Sequence, residues 1–344
     1  MDKICLSFFT GAGGLDLGLK KAGFDILFAC ERDKDAKDTI IINGLHKEVN
    51  GDVFSCTAES VRKDSGIGDQ DVDLLVSGSP CQSFSTIGKR LSLDDPRGNC
   101  LLKSLELVRD IHPKYAVIEN VRGLLSAEVD GQKGGVIELI KRTCAEIGYS
   151  VDIGLYNTAD YGVPQKRERV LVIMSRGSLP VPSLQPTHTN PSLLSDLPAW
   201  KTLRDAIGDL QGKHHDHMKY SPNRGKWFAK LTEGQDWRDL SKEDQLGAMG
   251  NSIYSGGGKT SYFKRLHWDK PSPTVVTSPT QKATGLCHPV EVRPLSIQEY
   301  KRIQQFPDEF ILCGKFASQY RQVGNAVPVG FGEALGKAIL ECLA

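Results

Sequence analysis

The first half of the 344-residue chain alternates short apolar runs with amphipathic stretches. The apolar runs have the length of buried strands and lie at residues 4–9, 26–30, 74–76, 115–118 and 170–174. Apolar residues with helical spacing lie between them, at 15–22 and 101–109. Strands that alternate with helices are typical of βαβ units. The pattern therefore predicts an α/β fold built on a doubly wound, mostly parallel sheet.

The alternation ends at about residue 175, where the chain becomes irregular. Prolines recur between residues 180 and 198, and all four tryptophans follow them. The tryptophans are Trp200, Trp227, Trp237 and Trp268. We predict a second, smaller and less regular domain in this part of the chain. Helical spacing returns at 296–305 and 330–343.

Positive charge is concentrated in one segment of a chain whose net charge is only +1. Residues 253–302 hold eight Lys or Arg and three Asp or Glu. A local basic surface of this kind can follow nucleic-acid phosphates. A solvated charged face explains the same excess equally well, so charge alone does not choose between the two.

The composition excludes several classes of protein. Hydrophobic residues make up 39% and charged residues 25%, which suits a globular protein. No apolar run is long enough to cross a bilayer, and the N-terminus lacks the features of a signal peptide, so we expect a cytoplasmic protein. The nine cysteines include no closely spaced CxxC pair, which argues against a disulfide framework or a zinc site. We expect no metal.

A glycine-rich loop follows the first predicted strand, at residues 8–14 (FFTGAGG). Glycines let backbone N–H groups approach a ligand at the start of a helix. Glu31 ends the second predicted strand at a distance that suits ribose hydroxyls. Asp52 would end a third strand, where it could accept from an adenine amino group. Together the three features indicate an adenosine-containing cofactor, although each acid alone more commonly caps a turn.

A cysteine follows the strand at 74–76, within the segment 78–85 (GSPCQSFS). Open α/β sheets place their active sites at the carboxyl ends of strands, and a thiolate needs little activation as a nucleophile. Glu119 ends another strand at the same predicted edge. Cys81 and Glu119 are therefore candidates for a nucleophile and an acid around one substrate. A buried cysteine and a helix-capping Glu-Asn pair are the structural alternatives.

Two arginines precede the strand at 170–174, in the segment 165–169 (QKRER). Alternation along a strand would put Gln165, Arg167 and Arg169 on one side of the chain. That face would offer two guanidinium groups to a substrate or to the acids described above. An edge strand guarded by charges is the structural alternative.

Taken in order, these motifs resemble those of the C5-cytosine DNA methyltransferases. The similar segments are 9–14, 78–85, 119–121, 165–169, 293–308 and 322–328 (QVGNAVP). The resemblance covers about residues 3–175 and 290–344. This chain has Ser7 where the family often has an acid, and Arg32 where it usually has an apolar residue. Both departures concern the donor site.

The resemblance implies an S-adenosylmethionine-dependent methyltransferase fold and methylation of cytosine C5 in double-stranded DNA. Cys81 would add to cytosine C6, which makes C5 nucleophilic enough to attack the methylsulfonium. Glu119 would give a proton or a strong hydrogen bond to N3, and Arg167 would hold the carbonyl oxygen. Because a duplex hides C6, the base must be flipped out. We expect the loop at 82–99 to close over it.

The resemblance also assigns the donor site. Phe9 would pack on the adenine, and backbone groups of Ala12 and Gly14 would hold the amino-acid end of S-adenosylmethionine. Glu31 would bind the ribose, and Asp52 and Val53 the adenine. The residues expected to line the rest of the donor site are Pro80, Asn325 and Val327.

The same resemblance predicts the domain organisation. Residues 1–179 and 319–344 would form the catalytic domain, 180–290 the target-recognition domain and 291–318 a hinge. The DNA would lie in the cleft between the domains. We expect a monomer without membrane contact, whose cognate restriction endonuclease would be a functional and not a physical partner.

Three alternatives share some of these features. The same chemistry on a transfer-RNA cytosine would be accompanied by a Cys-Phe-Thr signature, which this sequence lacks. A dinucleotide-dependent oxidoreductase would explain the glycine-rich loop and Glu31, but not Cys81 or Glu119. A catalytically inactive DNA-binding module would not need Cys81 and Glu119 intact.

Overall fold

The computed structural model describes residues 3–80, 99–129, 132–254, 259, 261–281 and 285–344. Its strands are β1 (Lys3–Phe8), β2 (Phe24–Cys30), β3 (Leu74–Ser77), β4 (Tyr115–Val121), β5 (Glu128–Val129), β6 (Gln132–Lys133), β7 (Tyr149–Asn157), β8 (Gln165–Lys166), β9 (Glu168–Arg176), β10 (Lys264–Arg265), β11 (Ser272–Pro273) and β12 (Leu286–Cys287). Its α-helices are α1 (Gly14–Ala22), α2 (Lys34–Ile42), α3 (Ala58–Ser65), α4 (Asn99–Ile111), α5 (Gly135–Glu146), α6 (Leu203–Ile207), α7 (Pro222–Phe228), α8 (Lys242–Met249), α9 (Ile297–Ile303), α10 (Phe316–Asn325) and α11 (Val329–Leu343). None of the helices in these ranges has the length and apolar character needed to cross a membrane.

A six-stranded sheet forms the centre of the molecule, in the order β2-β1-β3-β4-β9-β7. The first four strands pair in parallel, whereas β9 runs antiparallel to both β4 and β7. The predicted α/β fold with a mainly parallel sheet is confirmed. The apolar pattern did not predict β7, because this edge strand is mostly half-exposed and only its first residue, Tyr149, is fully buried.

Alternate residues of the strands face two different layers of helices. Leu6 and Leu75 pack in a core with α3, α4 and α5, whereas Cys5 and Leu74 pack on the other side with α1 and α11. This is the period-two burial expected of a sheet that is covered on both faces. Both faces are apolar, which explains why the strands appear in the sequence as continuous hydrophobic runs.

The C-terminal helix α11 lies against α1, so the two ends of the chain share one layer. The contact is close because both helices carry glycines. A Cβ atom at Gly18 would lie 2.4 Å from the carbonyl oxygen of Val329, and one at Gly14 would lie 2.3 Å from that of Val327. The glycine-rich start of α1 is therefore required for packing as well as for any ligand contact.

Residues after 200 contribute to two further cores. Helices α6, α9 and α10 pack together with Trp268 and Leu286, and this core reaches Ala12 and Ile40 of the sheet domain. A smaller core lies around Phe228, mostly within residues 228–263. The predicted recognition segment 180–290 thus takes part in both cores, and its boundaries stay a prediction.

Candidate active site

The carboxyl end of β1 leads into the predicted donor loop. Phe9 has a φ of 53°, in the left-handed region, which turns the chain sharply after the strand. Glu31 follows β2 and fixes this turn, because its carboxylate accepts from the backbone N–H groups of Gly11 at 2.8 Å and Asp33 at 2.7 Å. The loop and the acid predicted to bind one donor are therefore in direct contact.

The chain before Asp52 runs beside Glu31, whose N–H donates to the Asn50 oxygen at 2.9 Å, but Asp52 does not end a third strand of the sheet. The chain makes a single parallel bridge, Cys30 to Asn50, and then turns. The Asp52 carboxylate caps a short 3-10 helix at 53–55 by accepting from the Phe54 N–H at 3.1 Å. Val53 is buried and Asp52 is exposed.

Ser7, which stands where the family often has an acid, contacts an acidic residue on α1. The Ser7 hydroxyl donates to the buried Asp16 carboxylate at 2.7 Å. The other Asp16 oxygen lies 3.0 Å from Nε2 of His46. A carboxylate thus lies beneath the donor loop, supplied by the helix instead of the strand.

Pro80 is the last described residue after β3, and it is exposed. Cys81 lies outside the described residues, as do residues 82–98 of the loop predicted to close over the base. The segment that leads to Cys81 is held by Asn120, whose amide donates to the backbone oxygen of Ser79 at 3.2 Å and to its hydroxyl at 3.3 Å. Asn120 therefore connects the end of β4, where Glu119 lies, with the backbone before the cysteine.

Glu119 forms an ion pair with Arg169, with 2.7 Å between a carboxylate oxygen and Nε. Strand register explains the contact, because Glu119 lies opposite Leu171 in the antiparallel β4–β9 ladder and Arg169 is its diagonal neighbour on the same face. Both side chains are 12% exposed. The pair lies at the end of the sheet and borders an open cavity lined by Arg169.

Arg167 has a different environment from the one its predicted role requires. It is only 1% exposed, and its guanidinium donates to the backbone oxygens of Gly324 at 3.0 Å, Asn325 at 3.3 Å and Val275 at 3.5 Å. Burial lowers the pKa of Arg167, and the neighbouring Arg169 lowers it further. The structure brings Arg169, not Arg167, to Glu119.

The segment 322–328 approaches the start of α1 at Gly14. Asn325 is exposed and ends α10, whereas Val327 is buried and its carbonyl oxygen abuts Gly14. Ala12 is also buried, in the core shared with α10. The two ends of the predicted donor site are therefore neighbours in space.

One group of potential metal ligands occurs among the described residues, at a distance from these motifs in the sequence. Glu233, His267 and Asp269 bring their ligand atoms within 4.8 Å of one another. Asp269, however, forms two short contacts with Arg204, at 2.6 and 3.1 Å. The cluster is therefore accounted for as a surface ion-pair network.

The model of the C-5 cytosine-specific DNA methylase family matches residues 4–341.

The chain belongs to this family.

It is a DNA (cytosine-5-)-methyltransferase, similar to modification enzymes of bacterial restriction systems. It is 37% identical to the Type II methyltransferase M.Eco47II of Escherichia coli, over 98% of this chain and 79% of that relative. It is 38% identical to M.Sau96I of Staphylococcus aureus, over 97% of this chain and 75% of that protein. The oxidoreductase alternative is thereby excluded.

Solved structures share the fold across the whole chain. A protein encoded within an Escherichia coli prophage, described as a DNA modification methyltransferase, has a TM-score of 0.69 at 22% identity, and each chain is 99% covered. DNMT2 of Spodoptera frugiperda also has a TM-score of 0.69, at 19% identity, with 98% of this chain and 99% of that chain covered. At these identities the likeness concerns the fold alone.

From the sequence, Arg169 and Arg167 of this methyltransferase were predicted to share one functional face, with Arg167 as the residue that contacts the substrate. The QKRER segment contains two arginines on the same side of the chain, and its spacing does not indicate which of them contacts the substrate. The contact of Arg169 with Glu119 depends on the register of β9 against β4, strands that lie about 50 residues apart. Predicting this contact from the sequence would have required knowing that the strand after QKRER pairs antiparallel with the strand of Glu119. The predicted sheet was mostly parallel and did not specify this pairing.

Proposed function

We propose that this methyltransferase transfers a methyl group from S-adenosylmethionine to C5 of a flipped-out cytosine in a specific short duplex DNA sequence. The reaction proceeds through a covalent bond between Cys81 and C6 of the base. The observation that carries the proposal is the Glu119–Arg169 pair, which lies at the carboxyl end of the sheet and is linked through Asn120 to the segment before Cys81.

The residues around the donor loop fit an adenosine-containing methyl donor. Glu31 follows β2 and Asp52 caps the short 3-10 helix after the Cys30–Asn50 bridge, so both carboxylates lie in turns at the same end of the sheet, where the apolar residues Phe9 and Val53 also lie. Carboxylates suit ribose hydroxyls and an adenine amino group as acceptors. Bound there, S-adenosylmethionine supplies an electrophilic methyl group on a positively charged sulfur.

Cys81, Glu119 and Arg169 divide the chemistry of the cytosine ring among them. The Cys81 thiolate forms a bond to C6, and the electron pair displaced onto the ring is balanced by a proton that Glu119 gives to N3. C5 of the resulting enamine then takes the methyl group, and S-adenosylhomocysteine is left behind. A base removes the C5 proton, the double bond to C6 re-forms as the Cys81 thiolate leaves, and N3 returns its proton to Glu119.

Arg169 is assigned to the cytosine carbonyl oxygen in place of Arg167. Its guanidinium is near the surface of the site and has the Glu119 carboxylate as its partner. Binding of cytosine between the two side chains would exchange this contact for contacts with N3 and the carbonyl oxygen. Arg167 supports the site from behind, because its guanidinium is already used by three backbone oxygens.

Residues 180–290 are proposed to read the DNA sequence. They lie outside every catalytic motif and contain most of the local basic excess. Relatives that match nearly the whole of this chain are named as Type II methyltransferases, which supports a short duplex target and a cognate restriction endonuclease as the functional partner.

The test is product analysis. Purified protein is incubated with plasmid DNA and S-adenosylmethionine carrying a deuterated methyl group, and the nucleosides are separated by mass. The proposal predicts deuterated 5-methylcytosine, and bisulfite sequencing should locate it in one short motif. Label in N4-methylcytosine or N6-methyladenine, or in transfer RNA but not in DNA, would contradict it.

A further inference from the structure

Two cysteines that the proposed mechanism does not use lie side by side next to the acids of the donor site. Cys30 is the last residue of β2 and directly precedes Glu31, and Cys56 follows the 3-10 helix that Asp52 caps. Their sulfur atoms are 3.8 Å apart, within hydrogen-bonding distance for thiols. The pair therefore connects, through its side chains, the two chain segments that carry the proposed ribose and adenine contacts.

The two cysteines differ in how firmly their surroundings hold them. Cys30 is fully buried at the end of β2, and its carbonyl oxygen accepts from the Thr10 N–H at 3.1 Å. Cys56 is 4% exposed, but its neighbours on both sides, Ser55 and Thr57, are exposed. A turn of this kind can open locally more easily than a strand in the centre of a sheet. The Cys56 turn is therefore the side at which a small oxidant can enter and at which the chain can move.

The surroundings also make Cys56 the more reactive of the two thiols. A hydrogen bond from the Cys30 thiol lowers the pKa of Cys56, and the positive charge of Lys103 lowers it further, although burial opposes the shift. The same hydrogen bond, together with burial, raises the pKa of Cys30. A thiolate is the form that reacts with oxidants, and a second thiol beside it can convert the first product into a disulfide. The pair thus supplies an attacking sulfur and a resolving sulfur.

We propose that Cys30 and Cys56 form a reversible disulfide in the presence of a peroxide, and that this disulfide weakens the binding of S-adenosylmethionine. The assignment rests on the proposed function, since it takes the turn at 52–55 as part of the donor site. It gives the protein a site of covalent modification at which an oxidant controls methyl transfer without reacting with Cys81.

The oxidation takes place in two steps. The Cys56 thiolate attacks one oxygen of hydrogen peroxide, the O–O bond breaks and hydroxide leaves, so that Cys56 becomes a sulfenic acid and the peroxide is reduced. The sulfur of Cys30 then bonds to that of Cys56, the S–O bond breaks, and the Cys30 proton leaves with the hydroxyl group as water. The hydroxide takes up the proton that Cys56 had lost. Two thiols and one peroxide thus give one disulfide and two molecules of water.

Formation of the disulfide requires a movement in the donor site. A disulfide bond is about 2.0 Å long, so sulfurs that are 3.8 Å apart must approach each other by about 1.8 Å. Because Cys30 is fixed in the sheet, Cys56 moves toward β2, and the turn at 52–55 follows it through the bond from the Cys56 N–H to the Val53 oxygen. The contact of 3.5 Å between the Cys56 thiol and the Asp52 carbonyl oxygen is also lost. Displacement of Asp52 from the adenine should weaken donor binding at least tenfold, as for loss of a hydrogen bond to a charged group.

The experiment uses Cys81→Ser protein, so that oxidation of the proposed nucleophile does not affect the result. The protein is exposed to hydrogen peroxide, catalase removes the excess, and the remaining thiols are alkylated before digestion. Trypsin cleaves between the two cysteines, so the proposed disulfide joins peptides 22–32 and 48–62. Mass spectrometry should find this linked pair, and dithiothreitol should separate it.

Calorimetry on the same samples measures the affinity for S-adenosylmethionine. Oxidised Cys81→Ser should bind the donor at least tenfold more weakly than the reduced protein, and dithiothreitol should restore the affinity. With Cys56→Ala added, or Cys56→Ser if that variant does not fold, peroxide should leave the affinity unchanged. Cys144→Ala is the matched control, because Cys144 is fully buried in the same core and bonds to no other thiol among the described residues. It should respond to peroxide as Cys81→Ser alone does.

Absence of the linked peptides after peroxide treatment, or an unchanged donor affinity once they have formed, would overturn the proposal. So would a loss of affinity on oxidation that persists in Cys56→Ala. A failure of the proposed function has a different result. The reduced protein itself would then not bind S-adenosylmethionine, whereas the linked peptides would still report whether the disulfide forms.

Discussion

Two glutamate–arginine pairs occupy different regions of the molecule and differ in how completely they are satisfied. At the sheet edge, Glu119 and Arg169 share one contact of 2.7 Å beside an open cavity. In the predicted hinge, Glu299 accepts two bonds of 2.8 Å from Arg293 and one from the N–H of Ser296.

The hinge pair is also the more deeply buried. Glu299 is 1% exposed, and Arg293 makes further contacts of 3.1 Å with Glu291. Arg293 holds the pKa of the Glu299 carboxyl below its usual range, although burial opposes the shift. The difference shows what separates a structural pair from a reactive one. The hinge pair has its hydrogen-bonding capacity filled by the protein, whereas the sheet-edge pair keeps capacity for a substrate.

The sharpest way to break this distinction is to replace each glutamate by glutamine. Glu119→Gln should reduce kcat about 100-fold or more, because the proton for N3 is lost, and it should leave stability nearly unchanged. Glu299→Gln should lower the free energy of unfolding by about 3 kcal/mol, because a buried charge loses its partner. Single-turnover methylation and urea denaturation measure the two effects. Equal activity losses in the two folded variants would contradict the distinction.

The two arginines of the QKRER segment allow the same comparison between a structural and a reactive side chain, only two positions apart in the sequence. Arg169→Met should reduce kcat by about 100-fold, since a donor to the developing charge is removed, with little loss of stability. Arg167→Met should destabilise the protein by about 3 kcal/mol, because three backbone oxygens lose their donor.

Urea denaturation and methylation rates at 25 °C distinguish the two roles. Arg167→Lys, which keeps a buried positive charge, serves as the milder variant if Arg167→Met does not fold. A stable Arg167→Met that cannot methylate, together with an active Arg169→Met, would return the substrate role to Arg167.

Glu31 is a third carboxylate to compare with Glu119 and Glu299. It lies at the same edge of the sheet as Glu119, and its partners are backbone N–H groups. Glu31→Ala should weaken S-adenosylmethionine binding at least tenfold, because it removes both a ribose acceptor and the clamp on Gly11. Glu31→Gln keeps one acceptor oxygen and should lose less. Calorimetry with the donor alone measures both variants, and unchanged affinity in Glu31→Ala would remove this residue from the site.

The remaining prediction concerns pH and the hinge. Burial lowers the pKa of His288 to about 4, while the adjacent Glu299 opposes the shift. Its folded-state pKa is thus below the unfolded value of 6.5, so its contribution to stability is complete above pH 6.5 and is lost as the pH falls toward 4. The unfolding free energy of the wild type should therefore fall more steeply over this range than that of His288→Gln. Parallel profiles would contradict the prediction.

How much the sequence could predict depended on the range of the interaction. The strands β1, β3 and β4 and the motifs after them were predictable, because buried strands and the loops that follow them are encoded locally. Edge strand β7 and the single bridge in place of a third strand were not, because both depend on neighbours that the local pattern does not identify. The Glu119–Arg169 contact, on which the proposed choice of Arg169 over Arg167 rests, depends on pairing between segments distant in the chain.

The central claim is covalent catalysis by Cys81, and a trapped adduct tests it most directly. After methylation, the bond between Cys81 and C6 is released only when C5 loses a proton, and a fluorine at C5 cannot leave as a cation. A duplex with 5-fluorocytosine at the target position should therefore remain attached after one methyl transfer, and only when S-adenosylmethionine is present. Cys81→Ser should form no adduct, since a neutral hydroxyl is a far weaker nucleophile.

The measurement is a denaturing gel followed by mass spectrometry of the cross-linked peptide. The wild type should give a single adduct on the peptide containing Cys81, with the mass of a methylated 5-fluorocytosine, and Cys81→Ser should give none. An adduct on another cysteine, or full turnover by Cys81→Ser, would contradict it.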